Sequence, residues 1–260
     1  MFGAIVGDFI GSVWEGSEPF EFGGPLLNPR GHFTDDTVLT ITTGYALAVG
    51  QNLAAKYRES ILDYRDYGFS EAMLQWAEGR DEHQYFNTGN GAAIRVSFIH
   101  LFAGNLGEAM ALARESASAT HYQELPIRLA EVIGGATFLS HHDASPSEVQ
   151  RFVKRHFPEL YQWPRSGIPY QWESVVTAIE IACSTRSFES CMRECVSAGG
   201  DVDSVCAMAG GISDGFWGCS PELSTKVLER LAVLQPDLFR MLRIATMGQA
   251  EVQHLATYDL

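Results

Sequence analysis

The sequence predicts an all-α protein with a single domain spanning residues 1–260. Apolar residues recur at helical spacing along most of the chain, and no run of alternating β-branched residues indicates a strand. Helix start signals support this fold class. Ser145-Pro146-Ser147-Glu148 combines a capping box with a proline at the first helical position. No break in composition marks a domain boundary.

The first predicted helix, over 1–15, has a regular glycine pattern. Gly3, Gly7 and Gly11 recur every four residues and therefore share one face. Each glycine in a helix interior costs about 1 kcal/mol against alanine. We therefore expect another backbone to approach that face, unless the segment is not helical throughout. The glycine- and proline-rich residues 16–32 form a loop, and a loop of that length in a compact domain is often functional.

The remaining helices follow from apolar periodicity and from boundary residues such as Gly50 and Gly79. They are expected over 34–50, 52–66, 70–79, 92–102, 105–119, 125–139, 172–183, 187–197 and 205–218, and three more begin at Ser145, Ser220 and Pro236. A second substantial loop is expected over 163–170, where prolines and glycine cluster.

Composition excludes several classes of protein. The net charge of -14 argues against binding to a nucleic-acid backbone, which needs a cationic surface. No uninterrupted apolar run reaches the ~18 residues of a membrane span, and Asp8 interrupts the first apolar run, so we predict neither a membrane segment nor a signal peptide. The odd number of cysteines without zinc-like spacing predicts reduced thiols in a cytoplasmic protein.

Two short acidic clusters precede apolar helical runs. They are Thr34-Asp35-Asp36-Thr37 and Gly199-Gly200-Asp201-Val202-Asp203-Ser204. Four carboxylates would balance the +4 charge of two divalent ions, and the hydroxyls of Thr34 and Ser204 could complete an all-oxygen ligand set. Such a set suits Mg²⁺ or Mn²⁺. Either cluster alone is more simply an ordinary helix cap, but the pair in its glycine-rich context favours a metal site.

Other residues carry weaker signals. Glu15, outside the ligand set, is equally consistent with a general acid or base and with a solvated carboxylate at a helix end. The glycine loop Gly89-Asn90-Gly91 presents backbone N–H groups ahead of a helix, as phosphate sites do, although most such loops are turns. His121 ends a helix, where a capping or core histidine is commoner than a ligand contact.

Five blocks of the sequence, taken in order, resemble the ADP-ribosylglycohydrolase family, which includes the dinitrogenase reductase-activating glycohydrolase. The blocks are Gly3 to Glu15, Phe33 to Thr37, Gly89 to Arg95, Thr120-His121, and Gly199 to Ser204 with Ala209 to Gly218. The second metal motif of the family usually reads Gly-Gly-Asp-Thr-Asp-Thr. Val202 and Ser204 replace its threonines here, and Ser204 keeps the ligand oxygen.

The resemblance implies a compact orthogonal bundle of helices with two Mg²⁺ or Mn²⁺ ions at its centre, beside a cleft for ADP-ribose. The implied metal ligands are Thr34, Asp35, Asp36, Asp201, Asp203 and Ser204. Glu15 matches an acidic residue near the scissile bond, the loop Gly89 to Gly91 would hold the diphosphate, and His121 would lie near the adenosine. The implied reaction hydrolyses the bond at the anomeric ribose carbon and frees ADP-ribose from a modified protein or small molecule.

Two alternatives stay open at this point. The first is a non-catalytic ADP-ribose binder or a crystallin-like relative, against which the complete ligand set argues. The second is an isoprenoid synthase with an Asp-Asp-x-x-Asp diphosphate site, and Leu39 at the position of the third aspartate argues against it. The type of linkage, which we expect the loops 16–32 and 163–170 to determine, stays open as well.

Overall fold

The computed structural model describes residues 1–79, 89–162 and 170–247. Its helices, numbered along the chain, are α1 (Gly3–Gly11), α2 (Asp35–Val49), α3 (Leu53–Asp63), α4 (Glu71–Ala77), α5 (Gly91–Ile94), α6 (Leu106–Ser118), α7 (Glu124–His141), α8 (Pro146–His156), α9 (Glu159–Gln162), α10 (Tyr170–Ser184), α11 (Phe188–Ala198), α12 (Val202–Trp217), α13 (Pro221–Leu234) and α14 (Pro236–Thr246). A 3₁₀ helix spans Ser97–Leu101. Over these ranges no strand forms, and an isolated antiparallel bridge joins Ser17 to Gly200. The all-α prediction is confirmed.

Helix α12 lies at the centre of the fold. Every residue from Val202 to Asp214 is buried, and the helix packs against α1, α7, α10 and α11. Its small residues let the neighbouring helices come close. A second group forms where α2 packs against α3 and α14. The predicted caps at Ser70 and Ser145 are confirmed, and Ser145 forms a complete capping box with Glu148 at α8.

The glycine face of α1 packs directly on the backbone of α12, as expected. A Cβ atom at Gly11 would lie 2.5 Å from the Cα of Asp203, and one at Gly7 would come still closer to the carbonyl of Cys206. No side chain fits in that space, so the helix penalty of the glycines is offset by close packing.

Several predicted helix boundaries differ from the structure. Helix α1 ends at Gly11 rather than at residue 15, and the hydroxyl of Ser12 donates a hydrogen bond back to the carbonyl of Phe9. The helix predicted over 92–102 divides into α5 and the 3₁₀ helix on either side of Arg95 and Val96. Helix α12 begins at residue 202 rather than 205, which places Asp203 in its first turn. The short α9 has no counterpart in the prediction.

The five cysteines are free thiols. Among the described residues, the structure contains no helix with the length and apolar character that crossing a membrane requires. The predicted loop over 163–170 lies outside the described residues except for Tyr170, the first residue of α10.

Candidate active site

Acidic side chains from three helices meet at one place. Asp8 lies on α1, Asp36 in the first turn of α2 and Asp203 in the first turn of α12. Each offers a carboxylate oxygen, and these oxygens lie within 4.8 Å of one another. The close packing of α1 on α12 at Gly11 brings Asp8 and Asp203 together. The two acidic segments, far apart in sequence, therefore meet through Asp36 and Asp203.

Asp8 is a member of this cluster that the sequence did not single out. Its fully buried carboxylate accepts hydrogen bonds from the backbone N–H of Thr34 at 3.0 Å, from the Thr34 hydroxyl at 2.7 Å and from the Thr37 hydroxyl. The hydroxyl of Thr34 thus donates its hydrogen bond to Asp8, and its oxygen accepts a hydrogen bond from the N–H of Asp36 at 3.2 Å. The remaining lone pair can face a cation. One feature of the sequence could have pointed to Asp8: it is the single ionisable residue in the apolar, glycine-rich segment Gly3–Gly11.

Burial and mutual repulsion raise the pKa values of the clustered carboxyl groups. Burial is the largest cause in each case. For Asp203 and Asp35 the second cause is the negative charge of Asp8. The pKa of Asp203 rises to about 8 and that of Asp35 to about 7. Burial, followed by the charges of Asp35 and Asp203, holds the pKa of Asp36 well above its ordinary range. At neutral pH the cluster must therefore hold protons or a cation.

The donor set of the cluster fits a hard divalent cation. The Oδ1 atom of Asp203 is buried and accepts no hydrogen bond, which leaves its lone pairs unsatisfied. The hydroxyl of Ser204 lies beside it in sequence and donates to Oδ2 of Asp36 at 3.3 Å. All of the atoms that could ligate a cation here are oxygens, which suit Mg²⁺ or Mn²⁺. A bound cation would satisfy the buried oxygen and remove the repulsion between the carboxylates.

Asp201 takes a different position. It is the N-cap residue of α12, yet its side chain makes no capping hydrogen bond. Its Oδ2 atom instead accepts a hydrogen bond of 2.6 Å from Nδ2 of Asn90. The charge of Asp201 also raises the pKa values of Asp35, Asp36 and Asp203, so it lies within electrostatic reach of the cluster. The simple capping interpretation therefore holds for the side chain of Thr34 but not for that of Asp201.

Glu15 lies on the turn after α1, exposed to solvent and near the cluster. Its charge contributes to the raised pKa values of Asp35 and Asp203. Backbone hydrogen bonds between Ser17 and Gly200 (2.8 Å) and between Gly16 and Gly200 (2.7 Å) fasten this turn to the start of α12. These contacts position the predicted acid or base beside the predicted ligands.

A cleft of about 470 Å³ opens next to Asp201. One wall is the turn after Glu15, from Gly16 to Pro19, and the other is the face of α10 that carries Glu173, Ser174 and Thr177. Gly199 and Gly200 form part of its lining. Ligand sites for small molecules commonly enclose about 300–1,000 Å³, so the cleft has the size of a binding site and lies at the edge of the acidic cluster.

The glycine loop Gly89 to Gly91 leads into α5, a helix of only four residues that begins at Gly91. A Cβ atom at Gly91 would meet nothing within 4 Å, so the backbone there faces open space. The amide of Asn90 turns towards two other segments and donates to Oγ of Ser174 at 2.8 Å as well as to Asp201. Binding of a diphosphate by this loop stays a prediction.

His121 belongs to a polar network in the interior. Its side chain is fully buried, and Nδ1 lies 2.8 Å from the hydroxyl of Thr120. Burial, and secondly the charge of Arg95, lower the pKa of His121 to about 3, so the imidazole is neutral. Arg95 itself is fully buried and donates to the carbonyl of Ser116 and the hydroxyl of Thr120. A contact between His121 and a substrate stays a prediction.

Comparison with known proteins agrees with the observed fold. No curated protein matches the chain. A solved structure described as an ADP-ribosylglycohydrolase-related protein complex is similar in fold, with a TM-score of 0.72 and 22% sequence identity over 94% of this chain and 96% of that chain. The sequence model of the ADP-ribosylglycohydrolase family matches residues 1–251. On that match, this chain belongs to the ADP-ribosylglycohydrolase family.

Proposed function

We propose that this protein hydrolyses the glycosidic bond between ADP-ribose and a protein side chain or small molecule, using two Mg²⁺ or Mn²⁺ ions. Membership of the family supports a glycohydrolase function with an ADP-ribosylated substrate and ADP-ribose as product. The observation that carries the metal assignment is the buried meeting of Asp8, Asp36 and Asp203, in which an oxygen of Asp203 has no hydrogen-bond partner.

The proposed ligands come from the starts of two helices. They are Thr34, Asp35, Asp36, Asp201, Asp203 and Ser204. The four carboxylates of this set would balance the charge of two divalent ions, and the carboxylate of Asp8 orients the hydroxyl of Thr34 by accepting a hydrogen bond from it. Bound ions of this kind polarise a substrate oxygen and lower the pKa of a bound water.

Glu15 is the proposed proton carrier. Hydrolysis replaces the bond between the anomeric carbon and the leaving group with a bond to the oxygen of water. One proton must leave the water, and one must reach the leaving group. Glu15 is exposed at the edge of the buried cluster, on a turn that lines the cleft from Gly16 onwards. Because Glu15 is not one of the proposed metal ligands, its carboxyl group is available to exchange protons with a substrate in the cleft.

The test is release of ADP-ribose from a panel of substrates with defined ADP-ribosyl linkages, in the presence of Mg²⁺ or Mn²⁺. Asp35→Asn and Asp203→Asn should each lower turnover at least a hundredfold without unfolding the protein. Asp63→Asn, at an exposed position of α3, serves as the matched control and should keep wild-type activity. Wild-type turnover in either cluster variant would refute the metal assignment.

The same panel tests the alternative of a non-catalytic binder. Calorimetry with ADP-ribose and Mg²⁺ would then show binding, while no linkage in the panel would be cleaved. An isoprenoid synthase finds no support in the structure, because Leu39 is buried in the core. A cytoplasmic location and the absence of nucleic-acid binding stay predictions from cysteine usage and net charge.

A further inference from the structure

We propose that Asn90 is a positioning residue, which holds the carboxylate of Asp201 in place for cation binding. This inference rests on the proposed function, because it takes Asp201 as a metal ligand. It assigns the side chain of Asn90 a task separate from any contact between its loop and a diphosphate.

The contact joins three distant parts of the chain. Asn90 precedes α5, Ser174 lies on α10, and Asp201 is the N-cap residue of α12. Nδ2 of Asn90 lies 2.6 Å from Oδ2 of Asp201 and 2.8 Å from Oγ of Ser174. An ionised carboxylate only accepts hydrogen bonds, so the amide nitrogen rather than its oxygen must face Asp201. The two protons of one NH₂ group can serve the two acceptors.

Asp201 needs such a support because its own helix gives none. The side chain of an aspartate at an N-cap normally accepts a backbone N–H of the first turn, which fixes its rotamer. The carboxylate of Asp201 makes no such bond. It also faces repulsion from the neighbouring carboxylates, since its charge acts on Asp35, Asp36 and Asp203. A short hydrogen bond to a charged acceptor opposes that repulsion and fixes the orientation of Oδ2.

Ser174 fixes the amide in turn. The residue is 4% exposed and lines the cleft beside Asp201. Because Ser174 accepts one amide proton, rotation of the Asn90 side chain away from Asp201 would break two hydrogen bonds rather than one. Asn90 thereby links the cleft wall on α10 to the acidic cluster. Residues that orient metal ligands in this way typically alter metal affinity about 10- to 100-fold when they are replaced.

The experiment measures binding of Mn²⁺ to the full chain by electron paramagnetic resonance, without substrate. Asn90→Ala should weaken binding of at least one Mn²⁺ ion about tenfold or more. Ser174→Ala should have a smaller effect, and it should add little in the Asn90→Ala background because both changes loosen the same contact. Asn52→Ala is the matched control: it removes the cap of α3 and lowers the melting temperature, but should leave Mn²⁺ affinity unchanged.

Steady-state kinetics at saturating Mn²⁺ separate positioning from substrate binding. If Asn90 only contacted the substrate, Asn90→Ala would raise KM and leave Mn²⁺ affinity as in the wild type, which would overturn the inference while leaving the proposed function intact. Equal loss of affinity in Asn52→Ala would also overturn it, since the effect would then follow stability alone. Failure of the wild type to bind Mn²⁺ would refute both the inference and the metal centre. Weakened binding in a protein without turnover would support the inference and refute the hydrolase.

Discussion

In the metal-free protein, Asp203 should make folding stability depend strongly on pH. Its pKa is raised to about 8 in the folded state, chiefly by burial, from an ordinary value of 3.8. Between these two values the folded protein holds a proton that the unfolded chain has released, so the free energy of unfolding falls as the pH rises. One such proton corresponds to about 1.4 kcal/mol per pH unit, or about 3 kcal/mol between pH 5 and pH 7.

Asp203→Asn removes this ionisable group and keeps nearly the same shape. Chemical denaturation in the presence of a chelator, at pH 5, 6 and 7, should show a weaker dependence on pH for the variant. The difference in slope from the wild type should be at least about 1 kcal/mol per pH unit. Removal of one negative charge also lowers the raised pKa values of the neighbouring carboxyl groups, which weakens the pH dependence further. Asp63→Asn, at an exposed position, should keep the wild-type slope.

Saturating Mg²⁺ provides an internal check on the same measurement. Cation binding displaces protons from carboxyl groups, so the ion should stabilise the wild type more at pH 7 than at pH 5. Asp203→Asn should lose most of this gain. Parallel slopes for the wild type and Asp203→Asn without metal would show that Asp203 is not a buried, repelled carboxyl group, and would refute the electrostatic account of the site.

Two further predictions concern α1 and the turn that follows it. Gly11→Ala should destabilise the protein by about 3 kcal/mol or more, measured by thermal denaturation, because the new methyl group would lie 2.5 Å from the Cα of Asp203; Gly23→Ala, which meets nothing within 4 Å, is its control. An unchanged melting temperature for Gly11→Ala would contradict the close packing of α1 on α12. Glu15→Gln should lower kcat at least a hundredfold while leaving Mn²⁺ affinity within about twofold, since Glu15 is exposed and lies outside the proposed ligand set. Loss of Mn²⁺ binding in that variant would instead make Glu15 a ligand.

Several features of the fold could be predicted because their causes are local or periodic. Ser145 and Glu148 cap α8 through residues three apart, which is a contact within one helical turn. The glycine spacing in α1 indicated a close backbone, and the partner proved to be α12. The helix predicted over 92–102 is wrong in its middle, where the α-helix ends before the buried Arg95 and a 3₁₀ helix follows from Ser97. That burial depends on Ser116 and Thr120, which lie more than twenty residues away.

The sequence by itself determined the helical class, the family and the two acidic clusters. Apolar periodicity, helix caps and short motifs each depend on residues a few positions apart, so they can be recognised without the tertiary structure. Only the tertiary structure decided that Asp8 joins Asp36 and Asp203, that Asn90 contacts Asp201, and that His121 is buried. These contacts join residues from distant parts of the chain or depend on enclosure by several helices. The raised pKa values of the carboxyl groups have the same origin, since burial and repulsion act only after the chain has folded.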